Sequence, residues 1–160
     1  MSAGGEDTPI GGVPMYEHGL LAPIVALAAW SLLMLIWLYA TRIPAMQRAG
    51  IKPGQISNDP AAPSKLPPWA RNVADNYNHL MEQPTIFYAT AFALQLLNVT
   101  DQNTVMLAWA YVGLRVIHSF VQATVNIILV RFSIFVIASI VLGFLIYRAA
   151  VAVGLIQFSF

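Results

Sequence analysis

The chain has 160 residues, 58% hydrophobic and only 9% charged, and its eight basic and seven acidic side chains leave a net charge of +1. A soluble domain carries about a quarter charged residues, so too few remain here to cover a water-facing surface, and composition alone indicates a single integral membrane domain. The near-neutral balance excludes a nucleic-acid footprint, and the absence of cysteine excludes disulfides, thiolate catalysis and Cys-ligated metals. The N-terminal MSAGGEDTPIGG is acidic and Gly-rich, and is not expected to act as a cleavable signal.

After a tail over residues 1–19, the uncharged run LLAPIVALAAWSLLMLIWLY predicts a first transmembrane helix over 20–41. It is long enough to cross a hydrocarbon core of about 30 Å, and Pro23 falls in its first turn, where a missing N–H costs little. Residues 42–70 read as a cytoplasmic loop. The segment Arg42–Arg71 holds five of the eight basic residues and six of the ten prolines, and the positive-inside rule sets its side.

A second span is expected over 71–97. Its apolar stretch Phe87–Leu97 is only 11 residues long, so the helix must begin near Arg71 and carry Asp75, Asn78 and Glu82 toward the membrane. Pro84 removes the donor that would serve the Leu80 carbonyl and predicts a kink beside Glu82. The linker Asn98–Thr104 suits the opposite side of the membrane; its Asn98-Val-Thr100 sequon is too short a pattern to carry weight.

From Val105 to Val153 no conventional turn is visible, yet 49 residues of helix would span about 73 Å. The chain must therefore double back, with a reversal expected near Asn126–Val130 between spans over 105–126 and 131–155. The expected fold is an all-α bundle of four transmembrane helices, with both termini non-cytoplasmic and a bacterial inner membrane as the expected location.

Helical spacing gathers the polar residues into stripes. Asp75, Asn78 and Glu82 fall at i, i+3, i+7, and Arg115, His118, Gln122 and Asn126 at i, i+3, i+7, i+11. Glu82 lies about 16 Å past Arg71 along a helix, and Arg115 about 18 Å before the reversal. Opposite charges at similar depth, each costly if unpaired, predict that Glu82 and Arg115 approach each other, within one subunit or across an interface.

Plainer readings compete. Buried polar residues in membrane bundles often only fix helix packing. His79 and His118 could in principle ligate a b-type haem, but no other haem feature accompanies them. A metal site on Glu82 and His118 lacks a third ligand, so no metal is expected. Trp69 reads as interfacial; Trp30, Trp37 and Trp109 read as packing or lipid-facing residues.

The segments NYNHLMEQPTIF (Asn76–Phe87) and AWAYVGLRVIHSFVQATVN (Ala108–Asn126), followed by Arg131, resemble the MAPEG family, the membrane-associated proteins in eicosanoid and glutathione metabolism. The resemblance implies a homotrimer of four-helix subunits with glutathione, the one cosubstrate expected, held between neighbouring subunits. By the same resemblance Asn78, Glu82, Arg115 and His118 bind the tripeptide, with Gln122 at a further binding position, and Arg131 stabilises its thiolate. A cation near a thiol raises the thiolate fraction.

Three departures stand out. Ala74 occupies the place of a glutathione-binding arginine, Gln122 that of a tyrosine, and Glu82 follows Asn78 by four residues instead of three. Two functions are therefore expected in order: a glutathione transferase or peroxidase acting on lipophilic electrophiles that arrive from the bilayer, then a non-catalytic MAPEG-fold structural or accessory protein. A small transporter or quinone-binding protein ranks last, because four spans leave little room for a pore.

Overall fold

The computed structural model describes residues 19–52, 54, 58 and 61–156. The acidic positions Glu6, Asp7 and Glu17 of the N-terminal tail lie outside the described residues, as does part of the basic loop on which the expected orientation rests.

All regular structure among the described residues is helical: α1 Leu21–Ala49, a 3-10 turn Ala62–Lys65, α2 Pro68–Leu80, α3 Gln83–Leu96, α4 Gln102–Ala123 and α5 Ile128–Ala152. Three of these helices, α1, α4 and α5, are long and apolar enough to cross a membrane.

Helix α1 runs 29 residues, about 43 Å, and corrects the expected loop boundary at residue 42. It continues through Pro44 because Ala45 is buried against Leu66 and Ala70, so tertiary packing outweighs the missing donor. Gly50 ends it in the left-handed region (φ 66°), its N–H bonding the Gln47 carbonyl while Ile51 N–H reaches the Met46 carbonyl.

The expected continuous helix over 71–97 is also corrected: it is two helices. Leu80 is the last residue of α2, and Glu82 leaves helical geometry at φ −90°, ψ −92°. Pro84 then sits in the first turn of α3, where proline is tolerated. The proline produces a break in place of a kink because neighbouring helices hold both new ends. Arg115 Nη2 donates to the His79 carbonyl at 3.0 Å, and Gln83 bridges α4 and α5 by accepting from Tyr111 Oη at 3.3 Å and donating to Ser139 Oγ at 2.7 Å.

The reversal is tighter than expected and falls at Thr124–Ile127, so Arg131 lies in the first turn of α5. Asn126 is in the turn at φ 50°, and not on α4 as its spacing suggested; asparagine is among the few residues that adopt this region readily. At the other end of α4, Asp101 caps the helix by accepting from Thr104 N–H and Oγ1.

The main core joins Leu20, Ile24 and Leu27 to Phe87, Ala91 and Leu94 of α3, Tyr111 of α4, and Ala138, Leu142 and Leu145 of α5. Phe87 and Tyr111 stack within it at 4.5 Å between centroids. Helix α2 packs separately, on α1 and α4, with Val73 and Ala74 against Leu38 and Ala123. This arrangement places the α2–α3 break against the middle of α4 and the first turns of α5.

Candidate functional site

The break, α4 and α5 enclose a cavity of about 280 Å³ lined by His79, His118, Gln122, Ile128, Arg131, Phe132 and Phe135. Its walls are aromatic and aliphatic on the α5 side apart from Arg131, and polar on the α2 and α4 side. Three of the expected site residues, His118, Gln122 and Arg131, meet here.

His118 is buried and bonded at both ring nitrogens. Nδ1 lies 3.0 Å from the Arg131 carbonyl and Nε2 3.0 Å from the Gln122 side-chain amide. Both partners are oxygens that only accept, the Arg131 carbonyl at Nδ1 and Gln122 Oε1 at Nε2, so a neutral ring with its one N–H donates to one of them at a time. Gln122 thus faces the histidine from one turn further along α4.

Arg131 reaches back to the turn. Its Nη1 donates to Asn126 Oδ1 at 2.8 Å, and Asn126 Nδ2 donates to Asn72 Oδ1 at 3.0 Å, which ties the cavity's cation to α2.

Arg115 does not line this cavity. Its side chain is buried at 1% exposure, and Nη2 caps the C-terminal end of α2 at the His79 carbonyl, where the helix dipole favours a cation. Nε and Nη1 have no hydrogen-bond partner among the described residues, nor do the side chains of buried Asn76 and Ser119.

The expected approach of Glu82 to Arg115 gives no ion pair between them among the described residues, although Glu82 is near enough to act on Arg115 electrostatically. Glu82 instead pairs with His79, Oε2 lying 3.0 Å from Nδ1, and is itself 66% exposed. The break turns the carboxylate outward while the buried arginine finds a carbonyl.

Asp75 and Asn78 are likewise exposed on the outer face of α2. They share that face with Glu82 but are not joined to the cavity. Ala74, where the resemblance expects an arginine, is buried against Leu38, so a long cation there would enter the α1–α2 seam.

Sequence reasoning singled out His79 only as a haem candidate and missed Asn72, Asn76, Gln83 and Tyr111. Asn72, Asn76 and His79 recur at i, i+4, i+7, a second polar stripe on α2 that could have been found. His79 and His118 stack with centroids 5.5 Å apart and rings 17° from parallel, and each sits against Phe135. No group of three or more His, Cys, Asp or Glu is placed to hold a metal among the described residues.

No curated protein matches the chain, and no solved structure does either. The family model of MAPEG matches residues 20–151, a stretch that covers all five helices but the last residue of α5, and every side chain of the cavity. The chain is an integral membrane protein and belongs to the MAPEG family.

Proposed function

We propose that this protein is a glutathione-dependent transferase or peroxidase acting on lipophilic electrophiles at a site between subunits of a homotrimer. In this reading α2 and α3 together form a fourth, broken span, and the termini face the non-cytoplasmic side of a bacterial inner membrane. The observation that carries it is the cavity where Arg131, His118 and Gln122 meet two phenylalanines. A cation beside aromatic walls suits a thiolate nucleophile and an apolar partner reaching it from lipid.

The donor set fits part of the tripeptide. Arg131 and the Gln122 amide offer hydrogen bonds and positive charge to an anionic peptide, but about 280 Å³ is at the lower edge of ligand-pocket volumes. The remainder of the ligand would lie outside the protomer's own cavity, on the exposed side chains of Asn78 and Glu82 and against a neighbouring copy. Polar side chains at membrane depth avoid lipid by facing protein or water, which favours such a neighbour on this face. Arg115 would then act by fixing the break that carries His79 and Glu82, and not by touching the ligand.

Bound glutathione would supply the nucleophilic sulfur; Arg131 would stabilise its charge, and Phe132 and Phe135 would exclude water. Thermal unfolding of the detergent-purified protein against rising glutathione tests this. A ligand bound only by the native state adds about 2.7 kcal/mol at a hundredfold excess over its dissociation constant. A saturable rise that Arg131→Ala removes is the expected result; no rise at millimolar glutathione overturns the proposal.

One observation favours a second reading, a MAPEG-fold scaffold without catalysis. Gln122 Oε1 is held against His118 Nε2 at 3.0 Å, so the family's tyrosine position here serves packing. On this reading Glu82→Ala weakens oligomer cross-linking and no protein form responds to glutathione.

A further inference from the structure

We propose that His79, oriented by Glu82, accepts the proton of a thiol brought into the cavity; this rests on the glutathione reading above. His79 closes α2 at the break, and its ring lines the cavity with Arg131. Glu82, three residues on, takes Nδ1 at 3.0 Å and so fixes the proton on that nitrogen. Among the described residues no partner occupies Nε2, on the far edge of the ring.

The ring is also held in place. It stacks on His118 at 5.5 Å and tilts against Phe135 at the same centroid distance, while the His79 carbonyl is pinned by Arg115. A carboxylate on one imidazole nitrogen and an open second nitrogen is the arrangement a general base needs. His118 is poorly placed for the role, because each of its nitrogens already faces a protein oxygen.

The charged and titratable groups facing His79 are Glu82 at the break, Arg115 and His118 from α4, and Arg131 from α5. In the step proposed, the S–H bond breaks, its electron pair stays on sulfur opposite Arg131, and the proton forms an N–H bond at Nε2. Glu82 stabilises the imidazolium while it lasts. Two guanidinium groups oppose it, so the proton passes on to water from the half-exposed ring. His79 therefore governs the rate of thiolate formation, and Arg131 the amount formed.

The test is stopped-flow mixing of the intact detergent-solubilised protein with glutathione, following the thiolate's ultraviolet absorbance, with equilibrium binding measured separately by calorimetry. His79→Gln is expected to slow the burst by about a hundredfold, within the range general bases contribute, without changing its final amplitude. Arg131→Ala should reduce the amplitude. Added imidazole should restore the rate in His79→Ala, which a purely structural role for the ring would not allow.

An unchanged burst rate in His79→Gln, with glutathione still bound, overturns this inference and leaves the glutathione reading standing. Absence of glutathione binding in the wild type overturns both. Should the His79 variants not fold, Glu82→Gln keeps the ring in place and should slow the burst severalfold; an unchanged rate there also overturns the inference.

Discussion

Replacing Arg115 with methionine tests whether its guanidinium is held by the chain alone. The bond from Nη2 to the His79 carbonyl, at 3.0 Å, contributes about 1.5–3 kcal/mol as a charge-assisted interaction. The C-terminal end of α2 adds about 0.3–2 kcal/mol for a cation in its last turn. Against this, Nε and Nη1 are buried without partners among the described residues and cost about 1–3 kcal/mol each, before several kcal/mol for desolvating the charge.

The balance falls against arginine in the protomer as it stands. Methionine nearly fills the same volume without the charge, so Arg115→Met is expected to be neutral or to stabilise by about 1–4 kcal/mol. Arg115→Ala additionally opens a cavity and is expected to cost about 2–4 kcal/mol relative to methionine. Reversible unfolding in mixed micelles of rising SDS content, with cross-linking in parallel, measures both. A methionine variant that loses more than about 3 kcal/mol would refute the reasoning, since Nε and Nη1 must then be satisfied from outside the chain.

Three further outcomes follow from the structure. Asp101 caps α4 and accepts from Arg148 Nη2 at 2.7 Å, and the Thr104 hydroxyl, followed by Arg148, holds its carboxyl below the usual value of 3.8. Its contribution is therefore present above about pH 3.8 and fades as pH falls through the lowered folded-state value. Thermal melts of wild type and Asp101→Asn should differ at neutral pH, by less than about 1 kcal/mol for so exposed a pair, and converge in acid. Asn126→Gly tolerates the positive φ but loses the bonds to Arg131 and Asn72, whereas Asn126→Ala loses both and strains the turn. Alanine should thus be less stable than glycine by about 1 kcal/mol in the same melts. Gly19→Ala should cost more than a surface change, because a Cβ there would lie 2.6 Å from Gln95 Oε1, which also accepts from Leu20 N–H, at a backbone φ of +53°. A melt unchanged from wild type would show that Gln95 simply moves aside.

Hydropathy made α1, α4 and α5 legible, since each is a long apolar run and lipid-facing residues need no partner to be recognised. What failed was local. Pro44 and the cations around it read as a loop, and nothing in the sequence shows that Ala45 would be buried against Leu66 and Ala70, far along the chain. Pro84 announced a disturbance, but a break instead of a kink depends on Arg115, Tyr111 and Ser139 arriving to hold the two new helix ends. Those partners come from helices distant in sequence, so the choice is tertiary.

The site shows the same limit more sharply. The sequence of α2 and the break carries two polar stripes: Asp75, Asn78 and Glu82, then Asn72, Asn76 and His79. Both follow the 3.6-residue period and lie roughly a quarter turn apart at about 100° per residue. Periodicity finds both stripes but does not rank them, and the structure turns the second inward. Arg131 and His118 were legible because α4 and α5 each offer a single polar face. His79 was not, because its role depends on Glu82 turning at the break to meet it.

A helix polar on two faces cannot be finished by one protomer. The inward face spends Asn72 on the turn and the His79 carbonyl on Arg115. The outward side leaves an aspartate and an asparagine exposed on the helix that precedes the break, and a glutamate exposed at the break itself. An ionised carboxylate at the centre of a bilayer costs on the order of 2.5–3.5 kcal/mol even by the mildest scales, so lipid is a poor neighbour for that face. The proposed oligomer answers this by setting another copy, or a ligand's charged groups, against it. The same carboxylate that needs such a neighbour also orients His79, so assembly and the chemistry proposed for the cavity meet at Glu82.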